Sequence, residues 1–248
     1  MLAPFRNFKT TFERMTGSKI YRNSLPFGIT CFLDIERQFG RDCISTVFDV
    51  GANAGQSALT YAREFPRAQI YSFEPVPATY QKLVAQTARH PNVHPYNIGM
   101  GRQPGRVTIH VNPNDLRSSV KLHRPEDHSE IISLDTMDGF VEKQKLRTID
   151  FLKIDTEGFD LEVLAGAETL LKEHRVHLIQ CECEPAPRTN EWVSFPALAE
   201  FLEGYGYRVF GVYEQRPEWD GGNYIPFWNA IFICEKLVPH SARWPSEV

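Results

Sequence analysis

The stretch "VFDVGANAGQS" holds Asp49, Gly51, Asn53 and Gly55 within seven residues. An apolar run ends on an acid, a glycine-studded turn follows, and the turn opens into a segment with helical spacing. A second apolar run, "AQIYSFEP", ends on Glu74. Glycines at Gly51 and Gly55 allow a tight turn and a close backbone approach to a ligand. An acid closing the next strand, some twenty residues on, is placed to accept hydrogen bonds from ribose hydroxyls. Together these residues point to an adenosine-containing cofactor.

The dinucleotide fingerprint G-x-G-x-x-G seats a diphosphate on a helix N-terminus. Here the order is G-x-N-x-G and the third glycine is missing. The ends of the apolar runs carry acids instead: Asp49, Glu74, Asp155, Glu157, Glu182 and Glu184. Acids at strand tips suit a cation better than a diphosphate. S-adenosylmethionine has a positive sulfonium and a positive amino group and no phosphate, so the residue chemistry favours it over NAD.

The elements that must hold these residues alternate along the chain. Strand patterns "STVFDVG", "AQIYSFEP", "VHPYNIG", "IDFLKIDTEG" and "VHLIQCECEP" are separated by helical patterns in "NAGQSALTYAREF", "PATYQKLVAQTARH", "DTMDGFVEKQKL" and "DLEVLAGAETLLKEH". A hairpin is expected at "RVTIHV" and "SEIISL". Such alternation predicts an α/β fold, a doubly wound, mostly parallel sheet covered on both faces. The closing runs "YRVFGVYE" and "NAIFICEK" have no helix signal between them and are expected to pair antiparallel. Residues 1–45 read as an N-terminal, helical extension, and 46–248 as the cofactor-binding domain.

A hydrophobic fraction of 42% with 23% charged residues is enough for a sizeable core in 248 residues. A net charge of −4 gives no global attraction to nucleic acid or anionic lipid, and no nucleic-acid partner is expected. No apolar run approaches the roughly 20 residues of a membrane span. The opening "MLAPFRNFKTTFERM" lacks the apolar centre of a secretory leader. Five cysteines, an odd number mostly in strand-like runs, fit reduced thiols and a cytoplasmic location.

In order, "VFDVGANAGQSALTYA", "IYSFEPVPATYQKL", "YNIGMG", "SLDTMDGF", "IDFLKIDTEGFDLEVLAGA" and the end of "LIQCECEP" resemble the motifs of the FkbM family of methyltransferases. The resemblance covers residues 46 to 185. It implies a Rossmann-like class I fold, S-adenosylmethionine as methyl donor, and O-methylation of a small molecule, often a sugar or secondary-metabolite hydroxyl. Carried across, it puts Asp49, Gly51, Asn53 and Gly55 on the methionine part of the donor. Glu74 falls on the ribose with Pro75 shaping the turn, and Asn97 and Ile98 lie near the adenine. Family members often show Glu-x-His-Pro after the fifth strand, where this chain has Glu182-Cys183-Glu184-Pro185.

Methyl transfer to an alcohol needs alignment and removal of a proton. Asp155 and Glu182 are the candidate catalytic acids. One of them acts as a base, or Asp155, Glu182 and Glu184 bind a divalent metal (Mg²⁺ or Mn²⁺) that acidifies the alcohol. Trp192, Trp219 and Tyr224 lie among polar and glycine residues and are expected to hold a carbohydrate-containing acceptor. Two other readings stay open from the residues: an NAD-dependent oxidoreductase or epimerase, and a non-catalytic S-adenosylmethionine-binding module. The first lacks a Tyr-x-x-x-Lys pair.

Overall fold

A computed structural model describes residues 15–16, 25–40, 42–112, 118–121, 125, 127–187, 192–215 and 224–238. Helix α1 (Cys31–Phe39) leads into strand β1 (Thr46–Val50), helix α2 (Gln56–Glu64) and strand β2 (Gln69–Phe73). Helix α3 (Pro77–Thr87) and strand β3 (Val93–Tyr96) follow. Four strands then form a separate small sheet: β4 (Gly99–Met100), β5 (Gly105–Val111), β6 (Ser118–Ser119) and β7 (His128–Asp135). The chain returns through α4 (Met137–Lys143) to β8 (Ile149–Ile154), α5 (Asp160–Ala165), α6 (Glu168–Lys172) and β9 (Val176–Glu184). It closes with β10 (Val193–Ser194), α7 (Phe195–Glu203), β11 (Tyr207–Tyr213) and β12 (Trp228–Cys234).

The main sheet runs β11-β12-β9-β8-β1-β2-β3, with β10 pairing β9 to one side. Strands β3, β2, β1, β8 and β9 are parallel, and β12 runs antiparallel to both β9 and β11. This is the expected doubly wound sheet with its closing antiparallel pair. The centre is the most apolar part. All six residues of β8, "IDFLKI", are buried, as befits a parallel strand covered on both faces. Side chains alternate between two cores. Phe48, Val50, Leu152 and Ile154 enter one, and Val47, Phe151 and Leu178 the other.

Strand order reverses between β1 and β8, because the chain builds outward to β3 before returning to start β8. In open α/β sheets the ligand crevice lies at that point, beyond the carboxyl ends of the strands.

Three details differ from the sequence reading. The helical run after "KIDTEG" is two short helices, α5 and α6, broken at Gly166. A Cβ there would lie 2.0 Å from the Gly101 carbonyl oxygen, so the turn after β4 presses into the break. The Asp138 carboxylate caps the restart, accepting from Thr169 N at 2.8 Å and Leu170 N at 3.0 Å. "VHPYNIG" divides between β3 in the main sheet and β4 in the small one. Helix α7, with Pro196 in its first turn and Leu198 and Leu202 buried, was not evident in the pattern.

Within the N-terminal segment, α1 packs Ile35 into the core that holds Ala58 and Tyr61 of α2. Its Asp34, 1% exposed, accepts from Gly28 N at 2.7 Å and from the Tyr213 hydroxyl at 3.2 Å, tying α1 to β11. Among the described residues no helix is long and apolar enough to cross a membrane, and all five cysteines are free thiols. Tyr213→Phe removes the hydroxyl from a buried carboxylate. It is expected to cost about 1 kcal/mol, read as a lower urea midpoint with an unchanged slope.

Candidate active site

The site begins where β1 meets β8. Asp155 N donates to Val50 O at 3.0 Å, and Gly51 turns the chain with φ 78°. A Cβ on Gly51 would stand 1.9 Å from the Asp155 carbonyl oxygen, so the contact admits no side chain. Gly51 N and Ala52 N both donate to Phe73 O, at 3.1 and 3.0 Å, which docks the turn on the tip of β2. Asn53 takes a left-handed conformation, φ 49°, and its backbone N–H donates to Glu74 Oε2 at 3.0 Å. Gly55, φ 101°, starts α2, whose Ser57 hydroxyl donates to Asp49 Oδ2 at 2.7 Å. Asp49 is fully buried beneath the turn and does not reach the open cleft. Its task in this geometry is to hold the turn.

The cleft, of about 750 Å³ including its open mouth, is lined by Gly51, Asn53, Glu74 and Pro75 on one side and by Asp155, Thr156, Glu157 and Phe159 on another. The small sheet closes it with Ile109, Ile132 and Leu134. Ser119 on β6 donates its hydroxyl to Glu157 O at 3.0 Å, clipping the small sheet to the turn after β8. Glu74 also accepts from Val76 N at 2.9 Å. Burial pushes its carboxyl up to about 7, against the pull of the two backbone N–H groups. The folded protein therefore holds this proton more tightly than the unfolded chain. Glu74's stabilising contribution is greatest below pH 4.5 and is lost as pH rises through about 7.

Asn97 and Ile98 do not line the cleft. Asn97 Nδ2 donates to the carbonyls of Glu74 and Pro75, at 2.9 and 3.0 Å, and clips the β2 turn, while Ile98 packs against the core. Gly99 and Met100 take the cleft positions, because the chain must first cross from β3 into β4.

Lys153, in the middle of β8, is the residue the sequence reading missed. Register sets it opposite Asp49 on β1. Its ammonium lies 3.0 Å from Gly51 O, 3.2 Å from Asp155 Oδ2 and 3.4 Å from Asp49 Oδ1. One hydrogen bond and two ion pairs thus surround the ammonium. Burial alone would lower its pKa, but Asp155 and Asp49 outweigh it and hold the group charged. The one signal for it in the sequence is a lysine that follows the apolar pair Phe151–Leu152 inside a central strand.

Glu182 sits in a gap. β8 pairs with β9 as far as Cys181, and β10 resumes at Cys183. Trp192, the residue before β10, reaches back so that its Nε1–H donates to Glu182 Oε2 at 2.7 Å. The indole stacks on Phe227, ring centroids 4.9 Å apart at 25°. Burial, then the nearby Asp155 charge, raises the Glu182 carboxyl to about 7. Behind it Asp160, 2% exposed, accepts from the Thr156 hydroxyl at 2.9 Å and is raised to about 6 by burial and Asp155. Glu184 is 2% exposed. Tyr224 is 46% exposed at the end of the β11–β12 loop, and Trp219 lies outside the described residues.

The expected metal set of Asp155, Glu182 and Glu184 does not fit. Among the described residues no three His, Cys, Asp or Glu side chains gather as metal ligands. The place between Asp49 and Asp155 is taken by the Lys153 ammonium.

A doubly wound sheet with a glycine turn, an acid on the second strand and acids at the switch point defines a nucleotide-cofactor enzyme of the methyltransferase type. The model for the "Methyltransferase FkbM domain" matches residues 49–209, and the chain belongs to that family. Methyltransferase 1 of Beauveria bassiana is 26% identical over 197 residues, 71% of this chain and 76% of that protein. The hexuronic acid methyltransferase AglP of Haloferax volcanii is 26% identical, over 57% of this chain and 58% of its own length. The 2-O-methyltransferase NoeI of Sinorhizobium fredii is 25% identical, over 53% and 61%. The chain thus spans about three fifths of the latter two.

Gly51→Ala drives a methyl group into the Asp155 backbone. It is expected to destabilise the protein by at least about 3 kcal/mol and to abolish cofactor binding, as measured by thermal unfolding and calorimetry.

Proposed function

We propose that this protein transfers a methyl group from S-adenosylmethionine to a hydroxyl of a small, sugar-like acceptor. The observation that carries this reading is Glu182, a carboxyl raised to about 7, fixed by an indole and set back from the cleft lining, near Asp155 of the cleft wall. The cleft suits the donor. Glu74 is a buried carboxylate at its wall, where hydroxyls of a ribose would add donors, and the aliphatic side chains of the small sheet offer a slot for a purine. The neighbouring acids suit a cationic ligand.

When bound, the donor supplies an electrophilic methyl carbon on a positively charged sulfur. The acceptor oxygen bonds to that carbon as the carbon–sulfur bond breaks and its electron pair returns to sulfur. The hydroxyl proton passes to Glu182, whose pKa near neutrality suits a general base. Asp155 holds the lysine with one oxygen and faces the cleft, so its part is to orient the reacting groups. The Trp192–Phe227 pair offers an aromatic face to the CH side of a sugar ring, and Tyr224 stands exposed before β12. Two relatives, a hexuronic acid methyltransferase and a 2-O-methyltransferase, support a carbohydrate acceptor.

Calorimetry with S-adenosylmethionine, S-adenosylhomocysteine and NAD tests the donor, and NAD binding without the other two would end the proposal. In a screen of sugars and glycosides, Glu182→Gln is expected to slow turnover by about 10²–10⁴-fold with little change in donor affinity. Turnover at saturating donor should fall below about pH 7, because a protonated Glu182 cannot accept the proton. Donor affinity has a separate pH dependence. Ribose hydroxyls favour the Glu74 carboxylate, so binding should tighten about tenfold between pH 6 and pH 8 and lose much of that dependence in Glu74→Gln.

A further inference from the structure

One cation stands among the acids on both sides of the cleft. The Lys153 charge acts on Asp49 of β1, on Glu74 at the tip of β2, on Asp160 of α5 and on Glu182 of β9, and in each case opposes the burial that drives the proton on. It also bonds the Gly51 carbonyl in the cofactor turn and the Asp155 carboxylate on the opposite wall. No salt bridge formed by any other described lysine, arginine or histidine reaches one of these five acids.

We propose that Lys153 is a positioning residue for the transfer reaction, the shared counter-ion through which the cofactor turn and the acceptor-side acids are held and charged together. The proposal rests on the reading of the cleft as an S-adenosylmethionine site with Glu182 as base. Lys153 is 8% exposed, is bonded to Gly51 O and paired with Asp49 and Asp155, and does not line the cleft, so it acts through Asp155, Glu74 and Glu182 and not by touching substrate. Its geometry makes a definite link. The strand register that sets Lys153 opposite Asp49 also sets the height of Asp155, two residues on, at the cleft wall. A neutral side chain at 153 would leave Gly51 O without its donor and free Asp155 to turn. It would also remove the charge that opposes protonation of Glu74 and Glu182.

The groups that face Glu182 are Asp155, Asp160, Lys153 and the Trp192 indole, and those that face Glu74 are the Asn53 and Val76 N–H groups, Lys153 and Asp49. In a Lys153→Met variant Asp155 loses its ion pair while the other groups keep their own partners, so a change in either titration reports the lysine, directly or through Asp155.

The test uses the full chain and two readouts independent of turnover. The first is the dissociation constant of S-adenosylhomocysteine between pH 5.5 and 8.5. The second is the Trp192 indole N–H resonance, assigned by its loss in Trp192→Phe, which titrates with Glu182. In Lys153→Met both midpoints should rise from about 7 by about half a pH unit or more, since removing a nearby positive charge favours the protonated acids. Lys153→Arg, which keeps the charge, should restore both midpoints toward the parent. If Lys153→Met unfolds, Lys153→Met with Asp49→Asn removes the orphaned buried charge and carries the indole measurement, because Asp49 is not among the groups that face Glu182. Midpoints that stay at the parent values in the folded variant, or that rise equally in Lys153→Arg, overturn the proposal. A parent protein that binds no S-adenosylhomocysteine fails the donor reading instead, and is told apart because the indole titration still reports on Lys153.

Discussion

The tips of β1 and β8 lie so close that residue 51 has no room for a side chain, and the site is arranged around that contact. A hydrogen bond from Asp155 N to Val50 O closes it on one side. The lysine beneath closes it on the other, bonding the Gly51 carbonyl at 3.0 Å. Because the two strands are parallel neighbours, their chains leave the sheet at one height. The turn after β1 and the acids after β8 then form adjoining walls of a single cleft. A bulkier residue 51 would part the strands and lower both walls. The glycine is thus a requirement of strand packing first, and of ligand approach only as a consequence.

Burying a cation there carries a desolvation cost of several kcal/mol, recovered only where its partners are well placed. The partners are one carbonyl and two carboxylates, so the cluster still has one negative charge in excess, before Asp160 and Glu182 are added. Burial is the main reason that carboxyls around the cleft stay protonated to higher pH than free ones, and the neighbouring acids add to it. A cluster short of positive charge is matched to a ligand that brings some. It also leaves the Glu182 carboxyl near its midpoint at neutral pH.

Much of this was legible in the sequence. The alternation of patterns gave the sheet and its direction, since the short apolar run "TVFDV" suits a strand covered on both faces and period 3.6 in "QSALTYA" is imposed by one buried face. Gly51, Asn53 and Glu74 stood out because a glycine turn and a strand-ending acid are local features. Lys153 did not, because its partner Asp49 is 104 positions away by neighbours of sequence yet directly opposite in register. Only strand pairing reveals it. The break at Gly166 and the passage of Asn97 and Ile98 away from the cleft have the same origin. Each is decided by a long-range contact, Gly166 against Gly101 O and Asn97 against the Glu74 carbonyl, that no window of sequence contains.

The placement of Glu182 shows how irregularity makes a site. A parallel sheet normally satisfies every backbone group along its strands, and an acid in its centre would be costly. Here β9 outruns β8, and β10 arrives two residues later to cover the remaining edge. Between them the side of β9 is open for a single residue, and that residue is Glu182. The segment that brings β10 also brings Trp192, whose indole N–H satisfies one carboxylate oxygen and leaves the other to face the acid cluster. Phe227, just before β12, backs the indole from the far side of β9. Three chain segments distant in sequence thus meet where the ladder changes partner, and each is held by sheet pairing. Glu182 and its aromatic neighbour are held by the pairing of β9 with β10 and β12, so the sheet fixes both.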